Sequence, residues 1–190
     1  MSTTLKTIAV YCGASMGADP VYAEAARALA QALVEHNIAL VYGGGKVGLM
    51  GVIADEVLRL GGDVTGVIPQ ALVAREVGHA GLTRLFVVKD MHERKAMMAQ
   101  LSDGFIAMPG GMGTLEELFE MLTWAQLGIH AKPVGLLNVN GFYDGLVAFV
   151  AHQHAAGFVR SEHVALMMAE AAPAALLQRL RHLAPSLPGA

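Results

Sequence analysis

The feature that most narrows the fold is a regular alternation of short apolar runs and amphipathic segments, with glycine at many of the joints. Lys6–Cys12, Ile38–Tyr42, Val64–Ile68, Leu85–Val88, Gly104–Met108 and Pro133–Leu137 read as strands, with a last short one at Met167-Met168. Helical spacing fills the intervals, as in Tyr22, Ala25, Leu29 and Leu33. Asp19 and Pro20 open that first helix, Gly61-Gly62 closes the second, and Asp90 caps a third that runs to about Leu101. Later helices are expected from Thr114 to about Leu127, over Phe142–Ala156 and Ser161–Leu166, and over Ala172–His182. Strands separated by helices pair in parallel through right-handed crossovers, and wholly apolar strands fit a sheet covered on both faces. The expectation is an α/β chain, a Rossmann-like doubly wound parallel β-sheet with helices on both faces. Ligands of such a sheet bind beyond the carboxyl ends of its strands. With no repeat or linker, residues 1–190 read as a single domain.

Composition removes several function classes. Hydrophobic residues make up 54% of the 190, so the chain can bury a substantial core. A net charge of −3 and no sustained basic stretch count against binding nucleic acid. Apolar runs are short and interrupted, so no membrane span is expected, and Met1–Lys6 does not open a signal peptide. The single cysteine, Cys12, excludes an internal disulfide framework. The cytoplasm is the expected location. The high apolar content with few charges also suggests surface buried between subunits.

Two glycine-rich turns carry the chemistry. Gly43-Gly44-Gly45-Lys46-Val47-Gly48 matches G-x-G-x-x-G between a strand and a helix, where backbone N–H groups can approach a phosphate. It follows the second strand, and the next strand ends in Ile68-Pro69 without the acid that a dinucleotide ribose needs. Val47 also stands where a Walker A loop has Ser or Thr. Phosphate contact or simple tight packing are both open for Gly44 and Gly45. The second turn is Pro109-Gly110-Gly111-Met112-Gly113-Thr114. Thr114 to Glu117 fits a capping box, so Glu117 is either a helix cap or a carboxylate beside a phosphate-binding turn. Arg94-Lys95 fall near the start of the helix capped by Asp90, where cations oppose the helix dipole unless an anion binds.

Gly13-Ala14-Ser15-Met16-Gly17 fits G-x-S-x-G, but the following helix starts too late for a nucleophile elbow. Gly13 and Ser15 are expected to touch phosphate or sugar instead. The eight histidines show no metal spacing.

Tyr42-Gly43-Gly44-Gly45 with Gly48-Leu49-Met50-Gly51, Met91-His92-Glu93-Arg94-Lys95, and Pro109 through Glu117 together resemble the LOG ("lonely guy") family. The likeness continues through Thr123–His130 and Lys132–Asn138. Members are cytokinin riboside 5′-monophosphate phosphoribohydrolases, once labelled lysine decarboxylases. The resemblance implies hydrolysis of the N-glycosidic bond of a nucleoside 5′-monophosphate, to free base and ribose 5-phosphate. It assigns Arg94 and Glu117 to catalysis. It assigns substrate contacts to Glu76, Arg94, Lys95, Gly110, Gly111, Met112, Gly113, Thr114, Leu115, Glu116 and Thr123. It further implies a homodimer with the site near the interface, and a reaction that needs no metal or organic cofactor. The decarboxylase label fails on chemistry, because no residue pair can be argued into the Schiff-base lysine and pyridinium partner of a PLP enzyme. The rival from another class is a non-catalytic nucleotide-binding or carrier module using the same turns.

Overall fold

A computed structural model describes residues 5–73 and 78–183 of the chain. Seven strands form one wholly parallel sheet: β1 Thr7–Tyr11, β2 Ala39–Tyr42, β3 Val64–Pro69, β4 Arg84–Val88, β5 Gly104–Ala107, β6 Val134–Leu137 and β7 Met167–Glu170. Their spatial order is β4-β3-β2-β1-β5-β6-β7, so the winding reverses between β1 and β5. There Ile8 of β1 stands beside Leu40 on one side and Gly104 on the other. The reversal leaves a crevice at the carboxyl ends, because the loops leaving β1 and β5 diverge to opposite faces.

The helices are α1 Val21–Glu35, α2 Gly48–Arg59, α3 Met91–Leu101, α4 Met112–Gln126, α5 Asp144–Ala155, α6 Ser161–Val164 and α7 Pro173–Leu183. Side chains alternate along each strand and divide the core in two. Ile8, Val10, Leu40 and Ile106 pack with Leu29, Ile53 and Leu180 of α1, α2 and α7. Ala9, Tyr11, Val41 and Phe105 pack with Met98, Leu118 and Met121 of α3 and α4. Burial of each large apolar side chain in these layers contributes about 1.5–3 kcal/mol. The doubly wound expectation holds. β4 is the exception to full coverage: Leu85, Phe86 and Val87 on this edge strand remain exposed.

Local boundaries follow backbone chemistry. The first helix starts at Val21 with Pro20, not Asp19, in the cap position, and Asp19, one residue before the cap, accepts from Val21 N–H through Oδ1 at 2.9 Å. Asp90 likewise accepts from Glu93 N–H at 3.0 Å. A second expectation is corrected. The helix expected at Thr114 starts earlier, at Met112, with Gly111 in the cap position and no side-chain cap. Leu115 N–H donates to Gly111 O at 3.2 Å, which places Thr114 inside the first turn and Glu117 beyond it. Thr114 and Glu117 therefore do not form a capping box. The reason is that Gly111 takes an extended backbone (φ −94°, ψ −156°), so helical geometry begins at the next residue.

Candidate active site

The crevice at the sheet's reversal is a cavity of about 500 Å³. Its walls come from the turn after β1 (Gly13 to Gly17), Gly43 after β2, Met91 and Arg94 of α3, and the Pro109-Gly110-Gly111 turn with Thr114 and Glu117 of α4. Backbone hydrogen bonds tie these loops together. Gly13 N–H donates to Pro109 O at 3.1 Å, and Leu49 N–H donates to Gly13 O at 3.0 Å. The second bond needs Gly48: its φ is +58°, and a Cβ there would strike the backbone of Ala14 and Ser15.

The start of α4 is the anion-seeking part of the wall. The N–H groups of Met112, Gly113 and Thr114 precede the first intrahelical bond, and no side chain caps them. They add the positive end of the helix dipole to a rim formed by Gly110 and Gly111. Glu117 follows on the same helix, roughly 9 Å along its axis from Gly111.

Arg94 and Glu117 face each other, 6% and 7% exposed. Arg94 Nη2 lies 3.9 Å from Glu117 Oε1. That is longer than a hydrogen bond, so the pair is electrostatic contact and not a closed clasp. Nη1 lies 3.6 Å from Met91 Sδ, and Nε has no hydrogen-bond partner among the described residues. Gly43 makes room for this guanidinium, because a Cβ there would stand on Nη2. Gly43 thus serves the arginine. Gly44 and Gly45 are engaged elsewhere: His79 N–H donates to Gly44 O at 3.0 Å, and Gly45 bridges Gly78. Gly81 N–H donates to His79 Nδ1 at 3.1 Å, which leaves Nε2 to donate to Asp55 Oδ1 at 2.7 Å. Those two glycines form the seat of the segment after β3 and do not line the cavity.

Burial, then the charge of Glu117, pushes the Cys12 thiol well above its ordinary value, with Arg94 opposing. The Tyr11 phenol is raised by burial, then by Glu117 and Glu120. Both stay protonated at neutral pH, so neither is a nucleophile. Ser15 lines the cavity on an exposed turn, but no histidine does, and α1 begins only at Val21. Among the described residues, no three His, Cys, Asp or Glu side chains gather as a metal site.

The remaining site residues expected from sequence are distributed as follows. Gly110, Gly111, Gly113 and Thr114 line the cavity, as do Gly13 and Ser15. Met112 is 85% exposed at the rim, Leu115 packs under the α4 layer, and Thr123 is exposed farther along α4. Lys95 points away: its Nζ contacts Glu116 Oε1 and lies 3.1 Å from Glu120 Oε1. Burial is the largest single influence and lowers the value, but the hydrogen bonds that the ammonium donates to those carboxylates, with their charges, together outweigh it and hold Lys95 above the usual lysine value. Glu76 lies outside the described residues. Tyr22 and Phe142, which the sequence reading did not single out as site residues, pack edge-to-face on the cavity wall, 5.9 Å between ring centroids. Tyr22 lies in the first turn of α1 and Phe142 follows β6, so neither stands at the end of a strand flanking the reversal, and no sequence signal marked them.

The family model described as "Possible lysine decarboxylase" matches residues 50–180. The "Probable cytokinin riboside 5′-monophosphate phosphoribohydrolase LOGL1" of Oryza sativa subsp. japonica is 56% identical over 155 residues, 82% of this chain and 70% of that one. The "Cytokinin riboside 5′-monophosphate phosphoribohydrolase LOG2" of Arabidopsis thaliana is 48% identical over 180 residues, 95% of this chain and 84% of that one. The chain belongs to the LOG family. Among solved structures, the molybdenum cofactor carrier protein of Chlamydomonas reinhardtii superposes with a TM-score of 0.70 at 20% identity, covering 94% of this chain and 97% of that one. The molybdenum cofactor binding protein of Rippkaea orientalis does so at 0.68 and 21%, covering 93% and 96%. At such identity they share the fold with this LOG-family chain and nothing more follows.

Proposed function

We propose that this chain hydrolyses the N-glycosidic bond of a nucleoside 5′-monophosphate, AMP or a cytokinin riboside 5′-monophosphate, releasing free base and ribose 5-phosphate. The observation that carries the reading is a buried carboxylate, Glu117, set against Arg94 on the same helix that offers uncapped N–H groups to a phosphate. The plant relatives' names describe the same reaction. The phosphate sits at Gly110–Thr114, and this remote anchor positions the reacting carbon against Glu117. Water oxygen bonds to C1′ while the C1′–N electron pair leaves with the base. Glu117 accepts the water's proton, which passes on to the departing base to give the neutral product, and its carboxylate stabilises the positive charge that develops on the ribosyl ring, as carboxylates do in glycoside hydrolysis. Arg94 touches phosphate or the departing base, and Tyr22 with Phe142 offers an aromatic wall on which a base can stack.

Incubation with AMP and an N6-prenylated AMP, followed by chromatography, should yield free base, with nucleosides and triphosphates as poor substrates. Intact nucleotide after prolonged incubation, with calorimetric binding retained, would instead establish a non-catalytic carrier. We also infer that one domain acts as a homodimer in the cytoplasm. The outer end of α4 supports the dimer: Phe119, Leu127 and Ile129 are exposed beside Thr123, which a single chain leaves outside its cavity. Among the described residues no helix is long and apolar enough to cross a membrane. Sedimentation as a monomer at micromolar concentration would overturn the dimer.

A further inference from the structure

Gly110 and Gly111 give the turn after β5 no side chains with which to hold itself in place. β5 pairs with β1 as far as Tyr11↔Ala107 and with β6 as far as Ala107↔Leu136. Beyond Ala107 the chain leaves the sheet, and its buried backbone groups need other partners. Met108 N–H still reaches Tyr11 O, at 2.8 Å. Pro109 has no N–H to give. The two carbonyls just ahead of Gly110 are each taken from a different side of β5. Pro109 O accepts from Gly13 N–H at 3.1 Å, in the turn after β1. Met108 O accepts from the Tyr143 hydroxyl at 2.6 Å, in the segment after β6.

Tyr143 is itself fastened. Its N–H donates to Asn138 Oδ1 at 2.7 Å, and Asn138 Nδ2 donates to Asp144 Oδ1 at 2.7 Å. Asn138 N–H donates to Glu170 O, at the end of β7, at 2.8 Å. Between Asn138 and Tyr143 the chain bends through Asn140 and Gly141, both at positive φ (50° and 72°), which leaves the hydroxyl within reach of β5. Burial pushes the phenol up, so it stays a donor at neutral pH. Tyr143 is 1% exposed and Met108 is fully buried, so this contact is complete inside one chain and a second subunit adds nothing to it. Tyr143 does not line the cavity, although Phe142 beside it does. Its hydroxyl acts on the site only through the Met108 carbonyl.

We propose that Tyr143 is a positioning residue for the phosphate. Its hydroxyl and the Gly13 N–H clamp the exit of β5 from the β6 and β1 sides, and so set where the free N–H groups of Met112, Gly113 and Thr114 point. The inference rests on the reading of the start of α4 as the phosphate seat.

Tyr143→Phe tests it, because the ring stays and only the hydroxyl is lost, leaving Met108 O without its donor. The Kd for ribose 5-phosphate, measured by calorimetry, should rise by about fivefold or more. KM for AMP should rise by a similar factor, with kcat within about threefold. Hydrogen exchange of the amides of residues 110–114 should be faster in Tyr143→Phe, while that of β1 and β2 is unchanged. A purely structural role would do the opposite: kcat would fall as folded protein is lost, with KM and Kd held, and that result would overturn the proposal. Unchanged exchange at residues 110–114 would overturn it equally. If Tyr143→Phe does not fold, Asn138→Ala serves, since it frees the Tyr143 N–H, and its Kd for ribose 5-phosphate should rise by about threefold or more. An unchanged Kd there would overturn the proposal. A wild-type protein that binds ribose 5-phosphate but releases no base sinks the cleavage reading alone, and the Kd of Tyr143→Phe still decides the clamp. A wild-type protein that binds no ribose 5-phosphate removes the phosphate seat, and this proposal with it.

Discussion

Replacing Glu117 by glutamine should lower turnover of a nucleoside 5′-monophosphate by about 10²–10⁴-fold, with the dissociation constant held within about threefold. The two side chains have nearly the same shape, so the packing of α4 against β5 and β1 is preserved. What disappears is the negative charge and the ability to take a proton from water. Glu117 lines the cavity, and no other carboxylate among the described residues does, so no neighbour replaces it there. The phosphate seat proposed at the start of α4 uses backbone groups that the substitution leaves in place. Steady-state kinetics beside calorimetry with a slow or product ligand separates the two effects. Turnover within a few-fold of wild type would mean that the carboxylate serves only the architecture of the helix.

The second large effect is expected at Arg94. Arg94→Met keeps an unbranched apolar stem in the slot beside Met91 and Met50 but removes the guanidinium. Loss of a preorganised donor of this kind lowers turnover by about 10²–10³-fold. The Glu117 carboxylate, 3.9 Å away, then lies buried without that cation, so urea or thermal unfolding should also report a less stable protein. Gly43→Ala provides a companion test that alters no charge. Its methyl group would occupy the place of Arg94 Nη2, so the arginine must move. Turnover should fall by about tenfold or more while the circular dichroism of the sheet is unchanged. Full activity in Gly43→Ala would show that the wall at Gly43 does not set the position of the guanidinium.

Much of the architecture was readable from local pattern. Apolar runs such as Ile38–Tyr42 and Gly104–Met108 differ from the observed strands by a residue at an end, because hydrogen bonding decides where pairing stops and side-chain character does not. Asp90 was legible as a cap, and Asp19 as a partner for the first turn of α1, because such bonds are confined to the next two or three residues. Glu117 was ambiguous for a physical reason: Thr114-Leu115-Glu116-Glu117 satisfies the capping pattern, and only the extended backbone of Gly111 shows that the helix has already begun. The run from Gly43 to Gly48 advertises close approach without saying what approaches. In the folded chain the neighbours are a guanidinium, the Gly78-His79 segment and the backbone of Ala14-Ser15, all distant in sequence. Lys95 beside Arg94 invited a shared role, and only the arrangement of α4 against α3 assigns them opposite directions. The Tyr22–Phe142 pair escaped because neither residue belongs to a motif.

The turn leaving β1 is held to Pro109 and Leu49 by peptide groups alone. Ala14, Ser15 and Met16 are exposed there and bear none of the scaffold's weight. A chain built this way can exchange the side chains of this turn without shifting the start of α4, where the phosphate is proposed to bind. The cavity wall at this turn can vary in its side chains while the backbone frame beneath stays as it was.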